Sequence, residues 1–113
     1  MSAPVHADLA AGRWQSFTLV EQLANVGSEV ERALRARERG LTQRFDRAVD
    51  RALELFDLTA IDARWSGPRR REVLRAREYF CRVCFGDDVE ADADAYLSRY
   101  FLQFATAARA RRR

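Results

Sequence analysis

Between residues 18 and 39 the apolar side chains return at intervals of three and four. Placed at about 100° per residue, Leu19, Leu23, Val26, Val30 and Ala33 form one stripe, and Val20, Ala24, Gly27 and Leu34 widen it. Roughly half the circumference is then apolar, more than a surface helix needs, so the pattern predicts a helix covered by at least two neighbours. Thr18, with Glu21 three residues on, makes a capping box, and Gly40 is a stop signal. Gly27 costs roughly 1 kcal/mol relative to Ala inside a helix. Its place on the apolar flank therefore predicts the close approach of another segment.

Three more periodic segments follow. Leu41, Phe45, Ala48, Val49, Ala52, Leu55 and Phe56 predict a helix over 42–58, with Gln43, Arg47, Asp50, Arg51 and Glu54 as its solvated face. The aperiodic TAIDARWSGP comes next, and Pro68 suits the first position of a third helix over 68–85, ended by Gly86. Its apolar face collects Val73, Ala76, Phe80, Val83 and Cys84. Arg77 projects between apolar positions, so it must either reach the rim or find a carboxylate, for which Glu31 is the candidate. A fourth helix over 92–112 buries Tyr96, Leu97, Tyr100, Phe101, Phe104 and Ala108, and leaves Leu102 outward as a candidate oligomer contact.

Residues 1–15 carry Pro4 and Gly12 and no sustained period, which predicts a flexible N-terminal tail. Residues 16–113 make one domain. Amphipathic helices joined by short links predict an all-α fold, an antiparallel up-down four-helix bundle.

At 113 residues such a bundle can bury a sufficient core without disulfides. Cys81 and Cys84 lie on the apolar side of the third helix, with no second cysteine pair or histidine cluster to complete a zinc site. They read as buried thiols in a reducing cytosol, the alternative being a redox pair or half of a shared metal site. His6, the single histidine, has no acid–base partner in view. The run Asp87, Asp88, Glu90, Asp92, Asp94 alternates like a calcium loop but lacks its turn glycine and terminal bidentate Glu, so the carboxylates read as favouring a helix N-terminus. Neither a catalytic triad nor a phosphate loop is present. The expectation is a non-enzymatic protein with no metal and no cofactor. No apolar run approaches the ~20 residues that cross a bilayer, and no signal-peptide pattern opens the chain, which predicts a cytoplasmic protein without a membrane partner.

Charge adds a functional expectation. The 20 basic residues are all arginine, and the net charge is +3. Setting the five acids of the 87–94 stretch aside leaves 20 Arg against 12 acids, a balance of +8. In an antiparallel bundle the start of the third helix and the end of the fourth share a pole, which gathers Arg64, Arg69, Arg70, Arg71, Arg109, Arg111, Arg112 and Arg113. Arg35, Arg37, Arg39 and Arg44 fall at the other pole, near the acidic connection. Arginines in a first helical turn oppose the macrodipole by about 0.3–1 kcal/mol each, and a bound anion reverses that cost. Arg69, Arg70, Arg71, Arg109, Arg111, Arg112 and Arg113 are accordingly the candidate contacts to an RNA or DNA backbone. Trp14 and Trp65 are candidates for stacking on bases, although aromatic residues flanking a bundle more often cap its core. The alternative uses the same charges without nucleic acid: the acidic connection of one subunit docks on the basic pole of another, giving a homo-oligomeric assembly module.

At LVEQLANVGSEVERA and RAREYFCRVCFG the chain resembles a group of small bacterial four-helix-bundle proteins. That group includes proteins encoded in intervening sequences of large-subunit ribosomal RNA genes and the accessory variability determinant proteins of diversity-generating retroelements. The resemblance spans roughly residues 16–108. It implies a ring-like homo-oligomer, often a pentamer, and for the retroelement branch a partnership with a reverse transcriptase and its RNA or DNA. It supplies no individual site residue.

Overall fold

The structure is a computed structural model that describes residues 12–111. A 3₁₀ turn, Arg13–Ser16, precedes four α-helices: α1 (Leu19–Glu38), α2 (Thr42–Ala60), α3 (Pro68–Phe85) and α4 (Ala93–Arg111). The expected tail lies mostly outside the described residues, but from Gly12 onward the chain is built into the fold.

The ends of α1 follow from its sequence. Thr18 Oγ1 accepts from the Glu21 amide at 3.2 Å, and Glu21 Oε1 accepts from the Thr18 amide at 2.8 Å, satisfying two donors that the first turn leaves unpaired. At the other end Gly40 takes φ of +71°, a conformation costly for a residue with a side chain. The amides of Gly40 and Leu41 then bond back to the Arg37 and Ala36 carbonyls at 3.0 and 2.9 Å, the pattern of a Schellman stop. The chain reverses within three residues and enters α2.

α1 is the central element, packing extensively on α2 and on α4, while α3 leans on α2 and touches α4 only lightly. Leu23, Val26, Val30 and Ala33 of α1 meet Val49, Ala52, Leu55 and Phe56 of α2 in one core, joined by Val73 and Phe80 of α3 and Leu97 and Phe101 of α4. Phe56 sits at its middle, 5.8 Å from the Phe80 ring and 6.1 Å from that of Phe101. Gly27 has the purpose its position implied: a Cβ there would lie 2.7 Å from Cβ of Phe101. Glycine lets α4 come this close.

Two expectations change. Tyr96 is 51% exposed rather than buried, because α3 and α4 diverge and leave a cleft of about 280 Å³ beside Tyr79 and Tyr100. Arg77 pairs with Asp57 of α2 at 2.8 Å and not with Glu31, which instead accepts from Ser98 of α4 at 2.9 Å. α3 leans toward α2, so the nearest carboxylate to Arg77 is there. Leu102 does face outward, 56% exposed. Among the described residues no helix is long and apolar enough to cross a membrane.

Candidate functional site

Two groups of arginines have opposite surroundings, apart from Arg37, Arg77 and Arg82, which pair singly with Asp94, Asp57 and Glu90. The first lies where the 3₁₀ turn, the start of α1 and the link from α2 to α3 converge. Asp62, buried in that link, accepts from Arg64 Nε at 3.1 Å and Nη2 at 2.7 Å, and from Gln22 Nε2 at 3.1 Å. The Arg64 bonds hold the Asp62 carboxyl down to about 2, and the Gln22 bond assists against the cost of burial. Gln22 also donates to the Trp14 carbonyl at 3.0 Å and accepts from Trp65 Nε1 at 2.7 Å. Trp14 Nε1 donates to Thr59 Oγ1 at 3.1 Å, so this fully buried indole has its polar atom satisfied.

Arg64 has further tasks here, donating to the Phe17 carbonyl at 2.7 Å and lying 4.4 Å from the centre of the Trp65 ring. Arg70 donates to the carbonyls of Ala60 and Asp62 at 2.8 and 3.1 Å, closing the end of α2. Both of these arginines are engaged in holding the link. Arg69 stands 6.0 Å from the Trp65 ring and remains exposed, as do Arg71, Arg109 and Arg111. Arg112 and Arg113 lie outside the described residues, as does His6. Trp14 is enclosed in the core and has no face to offer a base, so of the two roles open to it the structure gives it the core and not stacking.

The second group lies on the opposite side of the chain's logic, along the seam between α1 and α2. Arg32, Arg35 and Arg39 of α1 face Arg44, Arg47 and Arg51 of α2 across a groove of about 370 Å³ floored by Ala36, Leu41 and Ala48. Among the described residues no acid lines it. Arg32 is held by Glu29 at 2.7 Å, while the other five make no ion pair or side-chain hydrogen bond among the described residues. Neighbours three and four apart on one helix, such as Arg35 with Arg39 and Arg47 with Arg51, repel by roughly 0.2–0.5 kcal/mol per pair. The groove therefore stores a small repulsion that an anion would relieve.

Arg32 and Arg35 also line the adjoining groove of about 510 Å³ between α1 and α4, where Ser28, Ser98, Arg99 and Leu102 join them together with one acid, Glu31, which accepts from Ser98. The basic surface is thus a band running from α2 over α1 to α4. Of the arginines expected beside the acidic connection, only Arg37 is there, bound to Asp94 at 2.7 Å and to the Val83 carbonyl at 2.7 Å. Arg35, Arg39 and Arg44 turn into the α1/α2 groove instead.

The band was missed because each helix alone shows an ordinary charged face. Its signal is present, however, in two arginine series with helical spacing, 32/35/39 and 44/47/51, flanking a glycine stop that folds one onto the other. Elsewhere, burial pushes the Cys84 thiol up to about 11, so it stays protonated and weakly nucleophilic, and Cys81 is half-buried and free. Among the described residues no three His, Cys, Asp or Glu side chains converge on a metal-sized site. No family model matches the chain, and no curated protein or solved structure is significantly similar to it.

Proposed function

We propose that the protein is a non-enzymatic accessory protein that holds the phosphate backbone of RNA or DNA. The observation that carries this reading is the α1/α2 groove, in which five guanidinium groups stand together with no carboxylate partner among the described residues. Guanidinium forks match phosphate oxygens, and the seam presents them in two rows. Arg69, Arg71, Arg109 and Arg111 are exposed and add contacts from the pole. The up-down antiparallel bundle accounts for the contact order, since Arg37–Asp94, Glu31–Ser98 and Gly27–Phe101 step in opposite directions along α1 and α4. A homo-oligomer and a reverse transcriptase as partner belong to the same reading through the family resemblance.

Fluorescence anisotropy of a labelled oligonucleotide with nuclease-treated protein tests it, at 50 and 200 mM salt. Six backbone contacts predict a loss of about 10³-fold in affinity over that range. Absence of binding at the lower salt rejects the reading.

A second reading is a homo-oligomeric assembly module that uses no nucleic acid. Asp87, Asp88 and Asp92 favour it, being exposed and without an ion-pair partner among the described residues. Replacing Asp87 and Asp88 by Lys should then reduce the light-scattering mass to that of the monomer at unchanged helical content, and an intact oligomer would count against it.

A further inference from the structure

We infer that the basic band is built for double-stranded nucleic acid and discriminates against single strands. This rests on the backbone-binding reading above and narrows its partner.

Two properties of the band carry the inference. The first is its layout. Arg32, Arg35 and Arg39 on α1 and Arg44, Arg47 and Arg51 on α2 form two rows, each about 10 Å long from the rise of a helix. Packed helices lie about 8–10 Å apart. A duplex likewise offers two phosphate rows, separated by about 6 Å across the minor groove of B-form DNA or about 12 Å across its major groove. Long, exposed arginine side chains span the difference in either case. A single strand offers one row and leaves half the guanidinium groups facing one another.

The second property is what lines the band. Proteins that take single strands combine a basic track with aromatic rings on which unstacked bases lie. Among the described residues Phe101 is the one aromatic residue lining either groove of the band, and it is 4% exposed. The exposed rings Tyr96 and Phe85 lie elsewhere, Tyr96 in the α3/α4 cleft and Phe85 at the end of α3. Trp65 has Arg64 on its ring and its indole N–H on Gln22. Aliphatic residues, Ala36, Leu41 and Ala48, floor the seam instead, and none of them offers a ring for stacking. Such a surface touches backbone only, so it reads no sequence.

The test compares 20-base-pair DNA and RNA duplexes with each of their single strands, by anisotropy across a salt series on the full chain. Duplex binding should be at least about 10-fold tighter at 0.15 M salt, with a log–log salt slope near −5 for six contacts. The Arg35→Gln, Arg47→Gln double variant should flatten the duplex slope by about 2 at an unchanged circular dichroism spectrum. The variant Arg69→Gln, Arg71→Gln should flatten it by less. Single strands bound as tightly as duplexes, or a duplex slope indifferent to Arg35 and Arg47, would overturn the inference while leaving the backbone reading in place. Failure of every oligonucleotide to bind at 50 mM salt would remove both.

Discussion

The arginines of the Asp62 region and those of the α1/α2 groove are chemically identical and do opposite things. Around Asp62, Arg64 and Arg70 meet a carboxylate and four backbone carbonyl or aromatic partners between them, and each bond fixes a piece of chain that has no regular structure of its own. In the groove, Arg35, Arg39, Arg44, Arg47 and Arg51 fix nothing among the described residues. An arginine count alone does not distinguish the two. What separates them is whether the local backbone leaves acceptors to be satisfied: an irregular link does, whereas the middle of a helix does not.

The largest test of this contrast removes the residue that the Asp62 region encloses. Trp14→Ala should lower stability by about 3–5 kcal/mol in urea unfolding, because it empties a fully buried site and removes the hydrogen bond that Thr59 accepts. A loss below about 1 kcal/mol would show that the 3₁₀ turn is not part of the cooperative unit.

Asp62→Ala comes next, at about 1–3 kcal/mol, with Gln22 and Arg64 losing their shared acceptor. Its pH dependence gives a sharper readout. The Asp62 carboxyl is depressed from 3.8 to about 2 in the folded chain, so its contribution is fully present above about pH 4 and is lost as pH falls through about 2. Solvent around Arg64 screens the pair, and the lost component is on the order of 1–2 kcal/mol. The wild-type curve should bend downward over this interval, and the Asp62→Ala curve should lack that component.

Gly27→Ala should cost about 1–2 kcal/mol net, since a Cβ that would touch Phe101 outweighs the roughly 1 kcal/mol gained in helix propensity. A stabilised variant would mean that α4 can withdraw from α1 without loss.

The smallest effect is the one that most directly separates the two arginine groups. Arg47→Ala should raise stability by a few tenths of a kcal/mol at low salt, relieving repulsion from Arg44 and Arg51, and the gain should fade as salt is added. Arg64→Ala should change thermal stability in the opposite direction. Two losses of similar size would erase the distinction.

The helices were legible because their ends are written in local chemistry. Thr18 with Glu21, Gly40, Pro68 and Gly86 mark boundaries that the structure keeps to within a residue or two, and Gly27 announced its close contact. Pairings across the bundle were not legible. Arg77 choosing Asp57 over Glu31, Tyr96 emerging at the α3/α4 cleft, and Trp14 entering the core from an aperiodic stretch all depend on how far each helix rotates and leans. Periodicity fixes a face and not the neighbour it meets. The basic surface shows this most: helix order gathers arginines at a pole, where Arg64 and Arg70 are engaged and Arg69, Arg71, Arg109 and Arg111 stay exposed, whereas helix rotation lines up a further set along the α1/α2 seam.

The hydrogen bonds that tie both tryptophan residues to Gln22, one through its backbone carbonyl and one through its indole, have an optical consequence. Trp14 and Trp65 are the chain's only tryptophans, and Gln22 bonds to both residues. Tryptophan emission, excited at wavelengths where tyrosine does not absorb, therefore originates entirely beside the Asp62 link, one fluorophore enclosed and the other beneath a guanidinium. Titrating the α1/α2 groove should leave that emission steady, while unfolding, which exposes Trp14, should shift it to the red, so the molecule carries a built-in reporter for one of its two arginine regions and none for the other.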